Sequence, residues 1–140
     1  MIDKTSMLMG WLVGRQIASQ RGKKAGEPIA YLYNGVRFPK LPEWDKETYP
    51  YAFIVRMDVD WYYLFYSAYP LKEYSPTQVY VGSTHNQFYQ YSTGDESWYR
   101  LWDNATLSKC AKEDLIWSNH NIQYSDGVGF YASDPVPVYE

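Results

Sequence analysis

Apolar and polar positions follow two different periods along this chain. Near the N-terminus, Met7, Leu8, Trp11, Leu12 and Ala18 recur at helical spacing, with Asp3, Thr5 and Ser6 in front as candidate caps. Gly22 and the Gly26-Glu27-Pro28 segment close this helix, which the pattern assigns to residues 1–25. From Ile29 onward the period falls to two. Ile29-Ala30-Tyr31-Leu32-Tyr33 and Val36-Arg37-Phe38 flank Asn34-Gly35, a pair suited to a hairpin turn in which both central residues need positive φ. Pro39, Pro42 and Pro50 then keep the chain extended across Lys40 to Tyr49, where Trp44 is expected to plug the sheet edge.

A second hairpin is predicted from Ala52–Met57 and Trp61–Ala68 across Asp58-Val59-Asp60. Further strands are predicted at Gln78–Val81, Gln87–Tyr91 and Trp98–Trp102, with turns at Gly82-Ser83 and Thr93-Gly94-Asp95. A last hairpin is read as Ile116–Tyr124, Ser125-Asp126-Gly127 and Val128–Ala132. The segment from Phe65 to Leu71 lines up with that from Phe130 to Val136, which suggests an internal hairpin repeat. The fold class that follows is mainly β. An N-terminal helix precedes one β-rich domain, residues 26–140, whose antiparallel hairpins form a small sandwich or packed sheets.

Composition sharpens this picture. Of 140 residues 16 are tyrosine, and the aromatic share of 19% is concentrated among Asn, Ser, Gly and Thr. Tyr and Trp offer rigid amphipathic contact area, so the mixture points to a binding surface. The competing reading is a tyrosine-rich β core with wet hydroxyls. The net charge of −3 has no concentrated basic face, which disfavours general nucleic-acid binding. The short run Arg21-Gly22-Lys23-Lys24 suits a helix C-terminus. The apolar stretch from Met7 to Val13 is far short of the roughly 20 residues needed to span a bilayer, and no signal peptide is expected.

Candidate chemistry is sparse. The single cysteine, Cys110, excludes an intramolecular disulfide and a multi-cysteine metal site. Cys110 with His120, with Asp114 between them, is the one nucleophile–base pairing to consider, and nothing in the sequence near Cys110 lowers its pKa. Asp58 and Asp60 share a turn without the oxygen-rich loop of a calcium site. No enzyme, cofactor or metal is expected. The candidate ligand-binding residues are Tyr80, Tyr89, Tyr91 and Trp98, followed by Tyr99, Arg100 and Trp102. Leu8, Trp11, Leu12 and Gly14 are the candidate oligomerisation residues of the N-terminal helix, whose apolar face either docks on the domain or pairs with copies of itself.

Residues Gly10 to Ala18, Ala30 to Val36 and Leu41-Pro42-Glu43-Trp44-Asp45-Lys46 also carry a family resemblance, as do Tyr49-Pro50-Tyr51-Ala52, Ile116 to Ile122 and Ala132 to Val138. These segments resemble a group of small phage and prophage proteins of Gram-positive bacteria, often encoded near tail and lysis genes. The resemblance carries over no catalytic residue. It implies a non-enzymatic phage accessory protein, made in the host cytoplasm and associated with the virion or tail. Such a protein would form a homo-oligomer and present its aromatic-polar surface to a protein or glycan. The alternative is an antagonist of host antiviral defence that sequesters a signalling nucleotide or blocks a defence protein.

Overall fold

The structure, a computed structural model, describes residues 26–124, 129–130 and 132–140. The predicted helix and its residues Leu8, Trp11, Leu12 and Gly14 lie outside the described residues. The chain divides into two compact units. Tyr31–Val136 forms the larger one, and the described part of the smaller comprises residues 26–30 and 137–140. In the terminal unit Ile29, the residue before strand β1 (Ala30–Tyr33), donates its N–H at 2.8 Å to the carbonyl of Val138 in β13 (Val136–Val138).

The first hairpin forms as the sequence predicts. Strands β1 (Ala30–Tyr33) and β2 (Val36–Phe38) pair antiparallel with Tyr33 opposite Val36. Asn34 and Gly35 take φ values of 53° and 85°, the doubly left-handed turn that this residue pair tolerates. The second hairpin, β3 (Tyr51–Asp58) and β4 (Trp61–Ser67), lies in the middle of a five-stranded antiparallel sheet. Its other strands are β7 (Asn86–Ser92), β8 (Ser97–Asp103) and β10 (Leu115–Ser118), in the order β10-β3-β4-β7-β8. A separate three-stranded sheet is formed by β5 (Lys72–Ser75), β6 (Gln78–Val81) and β9 (Ser108–Ala111).

The central sheet is buried on both faces, which explains why Ala52-Phe53-Ile54-Val55 is apolar without alternation. One face carries Phe53, Phe65 and Phe88, cross-strand neighbours on β3, β4 and β7. Phe65 and Phe88 stack at 4.7 Å, and Val79 and Val81 of β6 pack in the same cluster. The opposite face carries Ile54, Leu64, Tyr66 and Tyr89, which cluster with Tyr33 and Phe38 of the first hairpin. Phe38 is fully buried inside a ring of Tyr33, Tyr62, Tyr91 and Trp98, with centroids 5.0 to 5.8 Å away.

Three sequence expectations are corrected. Ile116–Tyr124 is not one strand of a final hairpin. Its first part, β10, pairs with β3, and only β11 (Ile122–Gln123) pairs with β12 (Gly129–Phe130). The proposed repeat has no structural counterpart, because Phe65 sits in the central strand and Phe130 in a two-stranded ribbon. Trp44 covers a face of the sheet instead of its edge, since its ring stacks on Tyr66 of the central strand β4 at 5.2 Å and 4°.

Truncating Phe38 to Ala empties the aromatic ring that holds the hairpin to the sheet. The expected cost is about 3–5 kcal/mol, measured by chemical denaturation. A loss below about 1 kcal/mol would show that the box is not a packed core.

Candidate binding cleft

Residues 39–50 leave the end of β2 and cross the face of the central sheet. Their path is set by their own hydrogen bonds. The Asp45 carboxylate accepts from the Glu47 N–H at 3.2 Å and from the Thr48 N–H and hydroxyl at 3.3 and 2.7 Å, which tightens the turn. These bonds, those from Thr48 first, hold the Asp45 pKa below its ordinary value. Trp44 donates its indole Nε1–H to the Tyr49 carbonyl at 2.7 Å, and Tyr66 donates its hydroxyl to the Pro42 carbonyl at 2.5 Å. Burial, followed by the neighbouring Tyr89 and Tyr33, raises the Tyr66 pKa, so its phenol stays protonated and donating.

Between this loop and the sheet opens a cleft of about 840 Å³. Buried Tyr66, Tyr33 and Trp117 line it, along with half-buried Tyr31 and Trp44. Its polar lining comes from Lys40, Glu43, Lys46, Asn119 and Asp134. Trp117 is oriented by its Nε1–H to the Ser133 carbonyl at 3.0 Å. Asn119 accepts from the Ala52 N–H and donates to the Pro50 carbonyl, both at 2.8 Å, which ties the segment after β10 to the entry of β3. A second hollow of about 470 Å³ shares Glu43 and Trp44 with the first. Asp45, Gln87, Tyr89 and Arg100 complete its lining. Arg100 is bound to both carboxylate oxygens of Asp103 at 2.8 Å, which raises its pKa.

The seven sequence-predicted ligand residues are not brought together. Tyr89 and Tyr91 are buried at 8% and 4% exposure, and Trp98 packs on Phe38, so these three belong to the core. Tyr99 and Trp102 are about half exposed, and Arg100 is exposed beside Asp103. Tyr99 donates to Asp95 at 2.8 Å and Trp102 packs on Phe88, whereas Tyr80 stands in the three-stranded sheet against Tyr74. Of the seven, Tyr89 and Arg100 line the second hollow. Sequence reasoning missed Tyr66, Trp117 and Asn119, and gave Trp44 a different role. The one available signal was a tryptophan placed within a proline-bounded extended segment.

Cys110 and His120 have separate surroundings. Cys110, on β9, lines a different hollow of about 230 Å³ with Met57, Tyr63 and Trp102. Burial first, then the charge of Asp114, pushes its thiol up to about 12. His120 lies within 3.0 Å of the Ser118 hydroxyl and packs on Tyr51, and burial lowers its pKa. Among the described residues no group of three His, Cys, Asp or Glu side chains could hold a metal ion, and no helix is long and apolar enough to cross a membrane. No family model, curated protein or solved structure matches the chain.

The raised thiol has a measurable consequence. At pH 8.5, alkylation of Cys110 in the folded protein is expected to be roughly 10²–10³-fold slower than in the denatured chain. The folded thiol holds its proton more tightly than the unfolded one. Its contribution to stability is therefore intact below pH 9 and lost as the pH rises toward 12. Equal alkylation rates in the two states would contradict this environment.

Proposed function

We propose that this chain is a non-enzymatic phage accessory protein that recognises a glycan through the cleft beside Trp44. The supporting observation is the cleft itself, where aromatic rings held by packing and hydrogen bonds stand next to amide and charged groups. A sugar has an apolar face suited to stacking and a rim of hydroxyls that both donate and accept, so it needs this mixture. Rings already fixed in place lose little side-chain freedom on binding. The family resemblance adds the biological setting, association with the virion or tail, where the bound glycan would belong to the bacterial surface. The two packed core faces support reading the fold as layered sheets, and the helical spacing of Leu8, Trp11 and Leu12 is what supports a helix over residues 1–25 as the oligomerisation element.

Charge separates this reading from nucleotide sequestration. Three basic side chains, Lys40, Lys46 and Arg100, are matched in the two hollows by Glu43, Asp45 and Asp134. Arg100 is already paired with Asp103. A phosphate-bearing ligand calls for basic groups in excess, so a neutral ligand is the better fit.

Binding to arrayed surface polysaccharides of Gram-positive bacteria tests the proposal. Trp44→Ala is expected to weaken binding at least about tenfold, equivalent to ~1.4 kcal/mol. Trp102→Ala should leave it unchanged, with both variants folded by circular dichroism. The reverse pattern would move the surface to β8 and overturn the assignment of the cleft.

A further inference from the structure

We infer that the ligand is a linear, uncharged oligosaccharide that passes Trp44 and occupies both hollows. This inference rests on the glycan reading above. The two hollows share Glu43 and Trp44 in their linings, and each has a volume suited to a small ligand. A monosaccharide would occupy only part of one of them. A chain of sugars crossing the indole would use the polar groups on both sides.

Those groups differ in kind across Trp44. On the larger side stand Lys40, Asn119 and Asp134, with Tyr31 as a second half-buried ring. On the smaller side stand Gln87 and Arg100, projecting from adjacent strands β7 and β8. Gln87 combines an acceptor oxygen with an NH2 donor, a pairing that matches neighbouring hydroxyls, whereas the Asn119 carboxamide is already bonded to the Ala52 N–H and the Pro50 carbonyl.

Trp44 is built as a fixed divider. Tyr66 is stacked parallel to its ring, and the Tyr49 carbonyl holds its Nε1–H. The Lys46 ammonium lies over the ring, 4.8 Å from the centroid. Lys46 is exposed, so a sugar can displace its ammonium from the ring with little disturbance of the packing. The balance of acidic and basic lining favours a neutral sugar over a polyanion.

The test is titration calorimetry with cello-, chito- and rhamno-oligosaccharides, from the monosaccharide to about six units, a span chosen to exceed both hollows. Affinity in the binding series is expected to rise at least about tenfold with length and then level off. Gln87→Ala should reduce the affinity of the long oligomers and leave that of the shortest unchanged, while Trp44→Ala weakens both. A flat dependence on length, or a Gln87→Ala effect that is equal at every length, would overturn the two-hollow inference and leave the glycan reading standing. No binding by any series at any length would overturn both.

Discussion

The packing of Phe38 is the contact on which the rest of the larger unit depends. Its ring is fully buried among Tyr33, Tyr62, Tyr91 and Trp98, which come from β1, β4, β7 and β8. One side chain thus joins the first hairpin to three strands of the central sheet. Aromatic pairs at these separations add to the stabilisation from burial alone. Because Phe38 is the last residue of β2, this contact also fixes where the loop of residues 39–50 begins. Trp44, stacked on Tyr66, provides a second attachment six residues later, and the cleft lies along the path between them.

A sheet buried on both faces leaves its connections with polar groups that water reaches poorly, and asparagines satisfy them. Fully buried Asn86 donates to the carbonyls of Ser83 and Ala105 and accepts from the Ala105 N–H, stapling two loops. Asn119, which is exposed, bridges Pro50 and Ala52 in the same manner at the surface. Losing the Asn86 side chain leaves buried donors and acceptors unpaired, at about 1–3 kcal/mol each. Gly82 belongs to the same construction. Its φ of +79° strains any side chain there, and the Thr106 carbonyl, 3.1 Å from where a Cβ would stand, would have to give way.

Local chemistry was legible in the sequence, and layering was not. Asn34-Gly35 announced its hairpin, and Gln78–Val81 matches β6 residue for residue because its apolar positions alternate. Strands β5 and β9 escaped notice because Lys72-Glu73-Tyr74-Ser75 and Ser108-Lys109-Cys110-Ala111 are too polar to carry the signal. Their pairing with β6 makes them strands. The candidate site failed for a related reason. Tyr89, Tyr91 and Trp98 look like an exposed aromatic strip only if one face of the sheet is free, and the first hairpin covers that face. Trp44 could be singled out from its setting, but its stacking partner lies 22 positions away in the chain, beyond the reach of local pattern.

The proposed recognition site is a fixed indole on a covered sheet, not the exposed aromatics of β8. NMR of the tryptophan indole N–H signals during titration with a Gram-positive surface polysaccharide separates these two locations most directly. The account predicts that the Trp44 signal moves while those of exposed Trp61 and Trp102 stay in place. Movement of Trp102 with Trp44 unchanged would contradict it.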